Sequence, residues 1–185
     1  MSQARRETWT EAAFFAWHER QERRYELVDG QPQAMTGANN RHNAVASNVY
    51  DALRQRLRGG PCRPMTFNTA VRIPGGNIRY PDVLVDCGPY CPDDYAAAEP
   101  VLVVEVLSPS TKAFDQTRKL EEYRAVPTLR HMLVLDPEAP RAQLHSRGTD
   151  GQWRWDLLLG EAAEIALPSL GVTLPLGECY ALPAG

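Results

Sequence analysis

The chain has 185 residues, with 20 basic against 23 acidic side chains and a net charge of −3; 43% are hydrophobic and 23% charged. These values match a globular chain and exclude a disordered, collagenous or coiled-coil one. The length suits a single domain over 1–185 that can bury a core without staples. No apolar run approaches the roughly 18 residues of a membrane span. The N-terminal segment lacks the apolar stretch of a signal peptide, so a cytoplasmic protein is expected. Cys62, Cys87, Cys91 and Cys179 are scattered, lack a two-knuckle zinc spacing and read as free thiols.

In chain order, residues 8–20 predict a helix: Thr8 and Thr10 are both possible N-caps, and Ala13, Phe14 and Trp17 form an apolar stripe. Residues 25–35 predict a hairpin turning at Asp29-Gly30. A second helix is expected from about Asn43 to Arg58, with Val45, Val49, Leu53 and Leu57 on one face. The alternating run FNTAVRI, the turn Pro74-Gly75-Gly76 and the run RYPDVLVD predict two further strands.

Residues 101–107 (VLVVEVL) read as a strand buried on both faces. A helix from about Lys112 to Arg124 follows, then a buried strand at 131–136. An outer hairpin around Asp150-Gly151 and short strands near 163–175 complete the chain. The order predicts an α/β (α+β) fold with a central mixed sheet flanked by helices. Its core lies at about 20–140, with a C-terminal strand extension over 141–185.

Two carboxylates stand where a fold resists them. Glu105 lies inside the apolar strand, and Asp82 abuts another apolar run, Val83-Leu84-Val85. A lone buried carboxylate costs several kcal/mol unless it is paired, protonated or bound to metal. On neighbouring strands the two would repel, and a divalent cation removes that conflict. The plainer alternative pairs each acid with an arginine such as Arg72 or Arg79. Of the 20 basic residues only Lys112 and Lys119 are lysines, and both lie just beyond Glu105. Lys119 is favoured as the working amine because an inner helix face can return it to the strand. A surface pair with Asp115 is the competing reading, and Lys112 is the rival donor. Glu26, alternating with Tyr25 and Leu27, can equally face solvent. His42 can contact phosphate, carry a proton or cap its helix, and Tyr123 reads as a packing residue with a polar tip.

Pro81-Asp82, a gap of 22 residues and Glu105 resemble the PD-(D/E)XK nuclease pattern, although Leu107 occupies that pattern's lysine position. The longer set resembles the Uma-two family of putative restriction endonucleases: Val104-Glu105-Val106-Leu107-Ser108-Pro109-Ser110, Asp115, Lys119, Tyr123, Leu133 to Pro137, Tyr25 to Gly30, and His42. The likeness spans about residues 20–140 and implies a restriction-endonuclease-like core. It further implies an endonuclease that hydrolyses DNA phosphodiester bonds with Mg²⁺, or Mn²⁺ in its place. Asp82, Glu105, Glu26 and the Val106 carbonyl would hold the metal, and Lys119 would orient the attacking water.

The alternative is a protein of nuclease fold that binds DNA or a protein partner without cutting. A homodimer is also expected, and a plain homodimeric interaction protein built on the apolar C-terminal strands is the lesser third reading. DNA as partner has weak support in the charge balance, since the basic groups (Arg54, Arg56, Arg58 and Arg63; Arg118 and Arg124) are local.

Overall fold

The computed structural model describes residues 8–108 and 113–181, with the backbone alone over 113–116. Helix α1 (Glu11–His18) begins at Thr10, whose hydroxyl accepts the Ala13 N–H at 3.2 Å, so Thr10 rather than Thr8 is the cap. The hairpin β1 (Tyr25–Val28) and β2 (Gln31–Ala34) turns through Asp29 at φ 51° and Gly30 at φ 69°. Two successive positive φ values match the right-handed twist of the flanking strands. A side chain at Gly30 would also run into Thr8, with Cβ only 2.8 Å from its Cβ.

Helix α2 (Asn40–Arg56) starts three residues before the predicted position, capped by Asn39 accepting the His42 N–H at 2.9 Å. Its buried face is Val45, Val49 and Leu53, as the four-residue spacing requires. The next segment departs from the predicted pair of strands. It divides into β3 (Arg63–Thr66), β4 (Val71–Arg72), β5 (Ile78–Arg79) and β6 (Val83–Asp86). RYPDVLVD is therefore two strands, because Pro81 has no N–H for a ladder and the chain changes sheets there.

The remaining elements are β7 (Pro100–Val106), α3 (Ala113–Arg124), β8 (His131–Leu135), β9 (Arg141–Arg147), β10 (Trp153–Leu159), β11 (Glu164–Leu167) and β12 (Val172–Pro175). A six-stranded sheet runs β10-β9-β8-β7-β6-β3, parallel only between β7 and β8, which α3 connects. A four-stranded sheet runs β2-β1-β5-β4, and β11 and β12 form a separate hairpin. The fold is thus α+β with a mixed central sheet. Among the described residues, no helix is long and apolar enough to cross a membrane.

Both faces of β7 are covered. Leu102, Val104 and Val106 pack with Val83 and Val85 beneath α2 and the C-terminal Ile165, Leu174 and Leu176. The extension over 141–185 therefore completes this core. On the opposite face Val103, Leu84 and Met132 meet Tyr123, Val126 and Leu129. A third cluster seats Phe14 and Phe15 of α1 on Leu27 and Ile78 of the smaller sheet.

The reading of four free thiols is overturned, because Cys62 and Cys87 form a disulfide. Arg63 lies opposite Asp86 across β3 and β6, so the next pair outward brings these two cysteines together, with Cα atoms 4.1 Å apart. Cys91 and Cys179 remain free.

Buried His131 is expected to make the fold acid-sensitive. His131 is 2% exposed, with Nδ1 3.0 Å from the Ser146 hydroxyl and Nε2 without a partner among the described residues. Burial, aided by Arg130, pushes its pKa down to about 4. Between that value and the ordinary 6.5 the unfolded chain binds the extra proton, so stability falls as pH drops through this window. The loss expected from His131 reaches about 3 kcal/mol near pH 4. Urea titrations at pH 7.5 and 5 should reveal it, and His131→Asn should flatten the slope.

Candidate active site

The ladder between β6 and β7 pairs Val83 with Val104, so Asp82 and Glu105 are the next opposed positions. By alternation, Glu105 shares the face of Val103 beneath α3, while Asp82, in the bend before β6, meets His42 of α2. Asp82 Oδ2 accepts the Val106 N–H at 2.8 Å, fixing the carboxylate against the end of β7. Val106 thus contributes its amide to the acid beside it. His42 Nε2 lies 3.3 Å from the same oxygen. The bond with Asp82 raises the His42 pKa despite burial, with smaller help from Asn43 and the Val106 backbone.

The smaller sheet and α3 supply the rest. Glu26 is 7% exposed, so the solvent-facing alternative fails. One of its oxygens accepts the Tyr80 N–H at 3.2 Å and lies 3.0 Å from Lys119 Nζ, and the other is 2.7 Å from Arg79. Lys119 also stands 3.6 Å from Glu105 Oε1, which accepts the Tyr123 hydroxyl at 2.8 Å. Lys119 and Tyr123, one helical turn apart, therefore meet the same carboxylate. Of the predicted quartet, Glu26, Glu105 and Lys119 are in contact, and Asp82, held by Val106 and His42, reaches Glu105 through its charge.

Electrostatics follow from this crowding. Burial pushes the Glu105 carboxyl up to about 7; Asp82 and Glu26 add to that, while Lys119 opposes it. Burial works against the Lys119 charge, but Glu105 and Glu26 outweigh it and raise its pKa above the ordinary lysine value. That direction favours the charged ammonium at neutral pH, held between the carboxylates of Glu26 and Glu105.

Arg79 does not pair with Asp82 or Glu105, and neither does Arg72. Arg79, 2% exposed, bridges Glu26 and Glu122, with Nε 2.6 Å from Glu122. Arg72 binds Glu11 and Asp94. Glu122 also accepts from Asn77 at 2.9 Å and from Arg118 at 2.9 Å. The sequence reading passed over Glu122, whose signal was its placement one turn after Arg118. Lys112 and the Asp115 side chain lie outside the described residues.

Beside Asp82 opens a cleft of about 790 Å³, lined among others by Arg23, Arg24, His42, Tyr50, Phe67 and Asp82. The Arg24 guanidinium lies 3.9 Å from the centre of the Phe67 ring and donates to the Phe67 carbonyl at 2.9 Å. The sequence reading had singled out other cations. Three of them are engaged elsewhere: Arg56 with Glu178 and the Thr173 carbonyl, Arg63 with Asp86 and the Gly88 carbonyl, and Arg118 with Asp29 and Glu122.

The donor set suits a small divalent cation. Asp82 and Glu105 offer hard oxygens in a place where their own charges are in conflict. Among the described residues no three His, Cys, Asp or Glu side chains form a cage by themselves. Two carboxylates are the kind of donor that Mg²⁺, which keeps several waters, would take.

Comparison with known proteins bears on the family and the fold. The family model Uma2, described as "Putative restriction endonuclease", matches residues 11–177. The uncharacterized protein slr1290 of Synechocystis sp. (strain ATCC 27184 / PCC 6803 / Kazusa) is 31% identical over 90% of this chain and 88% of its own length. The uncharacterized protein sll1609 of the same organism is 30% identical over 84% of this chain and 90% of its own. A crystal structure of a putative nuclease belonging to DUF820 from Anabaena variabilis ATCC 29413 superposes with a TM-score of 0.72 at 16% identity. That match covers 90% of this chain and 94% of the other, and it shows a shared fold.

Proposed function

The chain belongs to the Uma2 family of putative restriction endonucleases, and from that we propose that it hydrolyses DNA phosphodiester bonds with Mg²⁺ or Mn²⁺. The observation that carries this reading is the position of Lys119, 3.6 Å from Glu105 and 3.0 Å from Glu26. The strand position two residues past Glu105 is Leu107. The ammonium that this position lacks comes instead from α3.

Asp82 and Glu105 would hold the cation, with Glu26 anchoring Lys119 rather than acting as a full ligand. The bound cation would neutralise the phosphate and acidify a water molecule. Lys119, charged, donates to the attacking water or to a non-bridging phosphate oxygen and stabilises the charge that develops. Attack forms one P–O bond to water and breaks the bond to the leaving sugar oxygen, the attacking water's proton passing to bulk solvent and the leaving oxygen taking one back from solvent. His42 keeps Asp82 oriented through its 3.3 Å contact. The cleft suits one or two nucleotides rather than a whole duplex, and Arg23 and Arg24 are its cations for neighbouring phosphates.

The test is cleavage of supercoiled plasmid and of single-stranded oligonucleotides with Mg²⁺, Mn²⁺ or EDTA. Cutting with either metal, its absence in EDTA and its loss in Glu105→Gln are expected. DNA bound but uncut with every metal would instead favour the non-cutting alternative.

A second measurement isolates the metal. Mg²⁺ at about 100 times its Kd should stabilise the folded chain by about 2.7 kcal/mol. For a chain of this size that raises the Tm by roughly 5–10 °C. Asp82→Asn should shrink this response, and an unchanged response would move the metal elsewhere.

A further inference from the structure

Strand β10 is an edge of the six-stranded sheet, and no described residue pairs with its outer side. Its backbone polarity can be read from the ends of its hairpin with β9. Gly148 donates to the Gln152 carbonyl at 2.9 Å, and Gly160 donates to the Pro140 carbonyl at 2.9 Å. Hydrogen-bonded pairs alternate along an antiparallel ladder, so even-numbered β10 residues bond to β9. Trp153, Trp155, Leu157 and Leu159 therefore point their N–H and C=O groups outward. The same four side chains share one face, opposite Arg147, His145, Gln143 and Arg141 of β9.

Beyond Trp153, which packs against the core with the Arg147 guanidinium over its ring, that face is apolar and uncovered. Trp155 is 57% exposed, Leu157 43% and Leu159 62%, half of the exposed large hydrophobic residues in the described chain. β10 carries no Pro, Lys or bulge, the devices by which proteins blunt such edges. A seven-residue edge with a free ladder and an apolar stripe invites another strand.

The geometry points to a second copy of this chain as that strand, pairing β10 antiparallel to β10 about a two-fold axis at Trp155. Charge complementarity fixes both partner and register. Centred on Trp155, the pairing sets Arg154 opposite Asp156 of the partner subunit, and by symmetry does so twice. It also sets Trp153 opposite the partner's Leu157, joining the two stripes across the axis. Centring on Asp156 would oppose two like carboxylates, and centring on Leu157 would leave Arg154 facing a glycine. Only the Trp155 register satisfies both charges while bonding the outward-pointing groups. The exposed bridge between Arg154 and Asp150, 2.6 Å long, is easily shared or given up. The result is one continuous sheet through both subunits.

Sedimentation velocity on the full chain over a wide concentration range tests this, with thermal melts confirming that each variant folds. The wild type should dimerise, and Trp155→Lys should be monomeric. Arg154→Glu and Asp156→Arg should each weaken association about tenfold or more, by opposing like charges. The combined variant Arg154→Glu/Asp156→Arg should recover it. A wild type that stays monomeric overturns the proposal. So does a dimer indifferent to these substitutions, or a double exchange that fails to recover association.

Discussion

If the proposed hydrolysis holds, Lys119→Ala should lose cleavage by about 10²–10³-fold, the scale for removing one preorganised donor to a developing charge. Its Mg²⁺-dependent rise in Tm should persist, because Asp82 and Glu105 remain. The separation of these readouts distinguishes an amine at the reacting phosphate from one that only balances carboxylates. Lys119→Arg recovers little, since a planar guanidinium cannot occupy the point between Glu26 and Glu105 that the ammonium holds. Lys112→Ala should be mild, costing phosphate attraction that salt masks in any case. Single-turnover rates on a fixed oligonucleotide, alongside melts with and without Mg²⁺, would measure all three variants. If Lys112→Ala is the dead variant and Lys119→Ala the active one, the ammonium has been assigned to the wrong lysine.

Arg79→Met should cost about 3–5 kcal/mol of folding stability, the range for breaking a buried ion pair from one side. Arg79 is held between Glu26 and Glu122 at 2.7 Å and 2.6 Å, and burial, though it opposes the charge, is outweighed by these two acids. Removing the guanidinium leaves two largely buried carboxylates facing an apolar side chain. Lys119 and Arg118 retain some of the balance, which sets the expected loss nearer the lower bound. Arg79→Met combined with Glu122→Gln should recover part of it, because an amide accepts burial more readily than an unpaired carboxylate. Urea denaturation of the single and double variants measures the coupling. Equal losses in both would mean that Arg79 acts by packing alone.

The parts of this fold written in local periodicity were legible. The four-residue spacing of Val45, Val49 and Leu53 marked α2, and the unbroken apolar run marked β7. The opposition of Asp82 and Glu105 was legible too, because each broke an apolar pattern that burial enforces. The reach of Lys119 across α3 followed from helix geometry. The Glu26 environment was not legible from alternation alone: β1, between β2 and β5, is buried at Glu26, Leu27 and Val28 alike and has no free face to infer. The Arg79–Glu122 bridge spans 43 positions and leaves no spacing signal. The disulfide stayed hidden for a similar reason, since the pairing of β3 with β6 that brings Cys62 to Cys87 depends on where the chain changes sheets. Pro81 marked that change but did not say which strand would receive it.

The passage from β5 to β6 through Tyr80, Pro81 and Asp82 makes the acids a gauge of alignment between two bodies. Glu26 rides on the small sheet, while Glu105 belongs to the large one and Asp82 sits on the hinge between them. A small tilt of one sheet against the other would change the spacing of the carboxylates before it broke any hydrogen-bond ladder. Phe14 and Phe15 of α1, packed on Leu27 and Ile78, therefore shim the small sheet that carries Glu26.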